Sequence, residues 1–573
     1  MHKDNMYEVY LSVYSVTDLC LAPIETIVAL FTIKYCESSV DIKLIPIDQD
    51  PTEQAYKIDL SSFVYEIVSE VPCYASSCEL PCLIISKYSC VSGLCIVLRQ
   101  IIQEVVSAPS MNQYLKLLGF RSGSLKVSSE TCAWTKFCEV DLISTLKHLN
   151  TNSLLLPTSL ARFECHMSRP IRLHNKHRYP LGKQFAALDI VQQDGTDSRE
   201  HEYVEAVHIT LSDIIIFVCM HMLLSTFSSQ TIPKLVPLTI KWYDRMLADQ
   251  RMKKCIRCLP TQKSHKLSEL QYTLPAVVDE SLYNSSPKPG NRTKQEDIEH
   301  SLRLVESMKV SMELDAEPFG AEVDGLNWTD VPYEARPENG HVPATRRDRK
   351  REQLQNLCKA VLKLAKDDDI IVDFCSGSGH LGILIAYLLP RCKVILMENK
   401  DRSMAFARER VEKLRLTNVR LCHGNFNHFK FNFDIGMSLH ACGVATDLVI
   451  QSCVEKNAIF VCCPCCYGFV QDCHRLTYPR SDIFKEHLGN REYSFLSHAA
   501  DQTHHHCCSE QNVKTAQGYR CMTIVDTDRK LYAEQFGYKV HLGQLIPPMC
   551  TPKNYLLVGI PTNRTARADH YES

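Results

Sequence analysis

No apolar run in this sequence approaches the length of a membrane span, and the start, Met1-His2-Lys3-Asp4, carries no secretory pattern. On those absences a cytoplasmic protein without a secretory signal or membrane contact is expected. Charge of one sign is lacking as well. The formal net charge is −2, so no global field draws the chain to nucleic acid, and any such contact must be local. No internal repeat is visible. What is plentiful is length and cysteine. At 573 residues the chain is too long for one core. Its 28 cysteines are scattered through apolar segments such as Leu94-Cys95-Ile96 and Val218-Cys219-Met220, which reads as buried thiols in a reducing compartment.

The hydrophobic pattern divides the chain. Residues 7–50 read as strand, helix, strand: Tyr7 to Val13, then Pro23 to Tyr35 with Ile24, Ile27, Val28 and Phe31 on one stripe, then Asp41 to Ile47. Leu80-Pro81 leads a further short strand, and Gly93 to Ile102 a helix. Residues 108–260 read as helical throughout. Thr210 and Asp213 have the spacing of a reciprocal capping pair, flanked by Ile209 and Ile214, and open an almost wholly apolar helix expected at the centre of the bundle. Residues 262–325 turn polar and proline-rich and are expected to form a linker, flexible around 280–300. Residues 326–573 alternate helical and strand patterns, which predicts βαβ units around a mainly parallel sheet.

The chemistry is expected in that last part. Ile370 to Phe374 reads as a buried strand containing Asp373. Cys375, Ser376, Gly377, Ser378 and Gly379 follow, then a helix and a strand ending in Glu398. Glycines there permit a sharp turn close to a ligand, and an acid about 20 residues on suits a ribose hydroxyl. Two cofactors compete for this pattern. A dinucleotide pyrophosphate is poorly matched by a carboxylate at the turn, whereas the sulfonium and ammonium of S-adenosylmethionine are well matched. The charge of Asp373 therefore favours S-adenosylmethionine. Asn425, after the third strand, is placed either to meet the adenine edge or to serve as a turn residue.

Two polar clusters close the next strands, at the edge where ligands sit in open α/β sheets. The fourth strand, Phe433 to Leu439, runs into His440-Ala441-Cys442-Gly443. The fifth, Ala458 to Val461, runs into Cys462-Cys463-Pro464-Cys465-Cys466. His440 either orients or deprotonates a nucleophile, or shapes the helix start. Cys442, Cys463 and Cys466 are read as walls of the acceptor pocket. With His504-His505-His506-Cys507-Cys508 the second cluster offers enough soft ligands for zinc, but not at the spacing of a finger or ribbon, and no metal is assigned. The basic run Arg346 to Arg351 opens a helix at the end where cations are unfavourable, which suits either phosphate contacts or a solvated face.

The run Asp373 to Gly379 resembles the first motif of class I methyltransferases. His440-Ala441-Cys442-Gly443-Val444-Ala445-Thr446-Asp447, with the paired cysteines near 462, is similar to the tRNA ribose methyltransferases, although Leu439 replaces the lysine of that branch and Cys463-Pro464-Cys465 its histidines. The resemblance covers about residues 325–560 and implies RNA as acceptor. Residues 1–260 resemble a glutathione transferase through Leu80-Pro81, Thr210 to Asp213 and Trp242-Tyr243. Val91-Ser92 stands where such enzymes place an acidic or amide residue before serine, so a degenerate module used for protein contacts is expected. The combination resembles the glutathione S-transferase C-terminal domain-containing protein family. It implies an α/β chain in four parts: a thioredoxin-like domain (1–105), an all-α bundle (106–261), the linker (262–325) and a Rossmann-like methyltransferase domain (326–573). A non-catalytic scaffold and a glutathione-conjugating enzyme are the competing readings.

Overall fold

The computed structural model describes residues 7–16, 19–47, 53–72, 75–76, 78–169, 201–205, 208–227, 230–259, 270–278, 282, 293–340, 342–425, 428–503 and 509–563. The chain forms two compact units, Met1–Pro289 and Gly290–Ser573. Among the described residues, no helix is long and apolar enough to cross a membrane. Their cysteines are free thiols, most of them buried.

The first unit begins with a mixed sheet. Its strands are β1 (Glu8–Val13), β2 (Leu19–Ala22), β3 (Asp41–Pro46), β4 (Tyr56–Asp59), β5 (Tyr65–Ile67), β6 (Cys82–Ser86) and β7 (Ser89–Ser92). β1 pairs in parallel with β3 and antiparallel with β6; β5 extends the β3 side and β7 the β6 side. β2 and β4 form a separate antiparallel ribbon. The Leu80–Pro81 peptide is cis. Helices follow, and the longest is Leu211–Thr226, buried along nearly its whole length as its apolar run requires. Its start is held by Asp213, whose carboxylate accepts from the Thr210 and Val204 amides at 2.8 and 2.9 Å and from Trp242 Nε1 at 3.0 Å. Burial pushes that carboxyl up to about 7. The thioredoxin-like and helical parts share a single hydrophobic core, with Phe31 and Phe217 in ring contact across it.

The second unit is a seven-stranded sheet of β8 (Ile370–Phe374), β9 (Lys393–Glu398), β10 (Val419–Gly424), β11 (Ile435–Cys442), β12 (Ile459–Cys465), β13 (Tyr538–Gln544) and β14 (Tyr555–Pro561). The spatial order is β10-β9-β8-β11-β12-β14-β13. The first five are parallel, and β14 runs antiparallel to both of its neighbours. The order reverses between β8 and β11, which opens a crevice at their carboxyl ends.

Part of the expected linker belongs to this unit. The helix Gln295–Ser307 buries Ile298, Leu302 and Val305 and packs against the helix Asn490–Ala500. Asp315 exchanges backbone and side-chain hydrogen bonds with Leu542 at 2.8 Å. The polar composition hid an apolar stripe at i, i+4 and i+7, which suffices for an amphipathic helix.

Candidate active site

The glycine turn lies at the mouth of the crevice, as its position after β8 requires. Gly377 N–H donates to Glu398 Oε2 at 2.8 Å, while Oε1 accepts from the Asn399 and Lys400 amides at 2.9 and 3.0 Å. Asp373 lies beneath the turn, 1% exposed, and accepts from Gly382 N–H at 2.9 Å. Burial raises its carboxyl to about 7, against the pull of that bond and of the Lys350 charge. Gly377 has φ +58, and a Cβ built on it meets nothing within 4 Å, so open space lies over the turn. Beside it the Ser376 hydroxyl oxygen is buried with no hydrogen-bond partner. Cys375 adopts φ +55, and burial raises its thiol. Gly379, at φ +74, packs tightly against Ile383 and Leu396. Asn425 is buried directly after β10.

The strands on the other side of the crevice run further than their sequence pattern suggests. β11 continues through Cys442 because a register shift between Leu439 and Cys442 absorbs His440, at φ +74, in a bulge. The imidazole Nε2 of His440 lies 3.0 Å from Gln353 Oε1, and Gln353 Nε2 donates to the Cys550 carbonyl at 2.9 Å. Burial, reinforced by the Lys350 charge, lowers His440 to about 4.

β12 likewise continues through Cys465, which corrects the expected end of the fifth strand at Val461. Cys462 and Cys463 are core residues at 0% exposure, and Cys463 points its thiol at the Lys553 carbonyl. Cys463 therefore lines no pocket. Cys442, Cys465 and Cys466 do come together, with the Cys442 and Cys465 sulfurs 3.4 Å apart. Thiol hydrogen bonds from Cys465 and Cys466 hold Cys442 well below the usual thiol range, and Cys465 is raised in exchange. Residues 504–508, offered above as further zinc ligands, lie outside the described residues.

The basic run does not act as a block. Arg351 pairs with Glu338 and lies over the Trp328 ring, whereas Arg346 is exposed. Lys350 turns inward, and burial lowers its ammonium to about 8 beside Cys463, Asp373 and Cys465. Neither Lys350 nor Gln353 was singled out from sequence. The signal was present for Lys350: it lies at helical spacing from Leu354, Leu357 and Val361, in line with the stripe that the helix Arg347–Leu364 buries. Its charge acts on His440 across the crevice end of β11.

A glycine turn after the first strand, acids at two strand ends and an appended antiparallel hairpin define this unit as a Rossmann-like methyltransferase domain. Residues 349–473 match the family model described as "Methyltransferase domain". The chain is 38% identical to the glutathione S-transferase C-terminal domain-containing protein homolog of Drosophila melanogaster, over 82% of this chain and 83% of that one. It is 31% identical to the glutathione S-transferase C-terminal domain-containing protein of Homo sapiens, over 96% and 98%. The chain belongs to the glutathione S-transferase C-terminal domain-containing protein family.

Proposed function

We propose that the second unit binds S-adenosylmethionine and transfers its methyl group to RNA, and that the glutathione-transferase-like unit serves protein contacts. The observation that carries the first part is the open space over Gly377 beside the unpartnered Ser376 hydroxyl, at the point where the strand order reverses. Cys375, Ser376, Gly377 and Gly379 hold the methionine end, with Asp373 and Lys350 supplying opposite charges beneath it. Glu398 takes the ribose and Asn425 the adenine. When bound, the cofactor supplies an electrophilic methyl carbon, so the protein has chiefly to align a nucleophile behind it.

His440 orients that nucleophile. Gln353 Oε1 is the acceptor in its pair with His440, because the Gln353 amide nitrogen is committed to Cys550. The His440 Nε2 therefore carries the hydrogen and Nδ1 keeps a lone pair. A base held near 4 removes protons poorly at neutral pH, so Nδ1 positions a donor by accepting its hydrogen bond. Cys442 and Cys466 line the same pocket.

RNA is carried by the likeness to the tRNA ribose methyltransferases. With Lys350 and Arg351 engaged and Arg347 donating to the Val342 carbonyl, Arg346 and Arg349 remain for phosphate. For the first unit, the Ser92 hydroxyl donates to the Glu79 carbonyl at 2.8 Å, which supports a degenerate glutathione site.

Calorimetry of the full chain with S-adenosylmethionine, followed by transfer of labelled methyl to total RNA, tests the reading. Binding and RNA labelling, with labelling reduced in Arg346→Ala/Arg349→Ala, are expected. No binding overturns the cofactor assignment. Binding without transfer to RNA overturns the acceptor and favours a scaffold.

A further inference from the structure

We propose that Cys442, Cys465 and Cys466 bind one thiophilic divalent metal ion of the zinc class, with a fourth coordination position left open to the acceptor pocket. Their three sulfurs lie within 4.8 Å of one another. A tetrahedral zinc ion with Zn–S bonds of about 2.3 Å needs sulfurs about 3.8 Å apart, so little movement is required. The 3.4 Å between Cys442 and Cys465 is a contact between thiols rather than a disulfide bond.

The backbone prepares this convergence. Cys442 and Cys465 are paired in register at the ends of two adjacent parallel strands. Consecutive strand residues normally face opposite ways, so Cys465 and Cys466 could not both reach Cys442 in an extended chain. Cys466 instead adopts φ +49, and its side chain joins the other two. The set escapes sequence motifs because one ligand lies 23 residues upstream, on a different strand.

Charge and access agree with the chemistry. Three thiolates on a divalent ion leave one negative charge. Lys350 acts electrostatically on Cys465 and Lys400 on Cys442, while Lys553, which acts on Cys465 and Cys466, is itself paired with Asp501 at 3.2 Å. Cys442 is exposed, which gives an ion a way in. The imidazole of His440 is held by Gln353 and is not among the donors within 4.8 Å. Three protein ligands with an open position is the arrangement of a reactive zinc site rather than of a closed structural one. Such an ion would help fix the acceptor's nucleophilic atom in place, and this use of the open position, unlike the site itself, rests on the methyl-transfer reading.

The test is titration of the reduced full-length protein with Co²⁺, read by the sulfur-to-metal charge-transfer absorption. One equivalent with the intensity of three thiolates is expected. Cys442→Ser, whose exposed position spares the fold, and Cys466→Ser should each weaken binding more than about a hundredfold, while Cys473→Ser should not. Circular dichroism of each variant checks the fold. No charge-transfer band, a band unchanged in Cys442→Ser, or a Cys442–Cys465 disulfide persisting in the reduced protein overturns the proposal. Calorimetry of the metal-free protein with S-adenosylmethionine separates the two readings, since its failure removes the cofactor assignment and leaves the metal site standing.

Discussion

Arg529 donates through Nε and Nη2 to both carboxylate oxygens of Asp447, at 3.0 and 2.7 Å, with neither side chain more than 2% exposed. Nη1 continues to Asp526 at 2.8 Å; Tyr467 donates to Asp526 and Tyr478 to Asp447. This network ties the helix after β11, the turn after β12 and the helix Ser509–Gln535 together behind the crevice. Arg529→Ala leaves two buried carboxylates without their cation and should cost about 3–5 kcal/mol. Urea unfolding of the full chain measures it, and a loss below about 1 kcal/mol would show the network to be dispensable.

Cofactor affinity should depend on pH through two groups. Asp373 is raised to about 7, so its negative charge is present above that value and lost below it. Affinity for S-adenosylmethionine should therefore climb as pH rises through 7, by at most about tenfold per pH unit, and Asp373→Asn should flatten the climb. Calorimetry between pH 6 and pH 8 decides; an unchanged slope in the variant removes Asp373 from cofactor binding.

Lys350 is lowered to about 8, so its ammonium is present at neutral pH and lost in mild alkali. By removing the cation that would face the cofactor's carboxylate, Lys350→Met should weaken S-adenosylmethionine binding about tenfold at pH 7 and little at pH 9. Equal losses at both values would indicate packing rather than charge.

In the first unit, Asp213 accepts from two amides, the Thr210 hydroxyl and the Trp242 indole. Asp213→Ala strands those donors in the core and should lower stability by about 3 kcal/mol, seen as a shift in the urea midpoint. A shift within error would mean that water or a rearranged backbone satisfies them.

Because the Ser92 hydroxyl is engaged with Glu79, the full chain should not be retained on immobilised glutathione. Retention that disappears in Ser92→Ala would restore the conjugating-enzyme reading.

The βαβ rhythm, the glycine turn and the capping pair at Thr210 could all be read from sequence, because each is a local pattern with a fixed period or spacing. The strand ends could not. Ala441-Cys442 and Cys462-Cys463 look alike as apolar text, yet a bulge at His440 brings Cys442 to the open edge while an unbroken ladder buries Cys463. Register is a property of two strands, and no single segment encodes it. Lys350 was obscured for a different reason: a charged run suggests solvent, and only the helical period reveals that one half-buried member stands in line with the buried stripe.

Cys375, His440 and Cys466 all hold left-handed backbone, at φ +55, +74 and +49: Cys375 and Cys466 directly past the ends of β8 and β12, and His440 in the bulge near the end of β11. Residues with a Cβ resist that conformation by about 1–2 kcal/mol each. An engineer seeking a more heat-tolerant version would find glycine or asparagine attractive at all three positions. Such replacements would relax the backbone and erase the side chains that meet there, so gains in robustness should be accompanied by a blunted site.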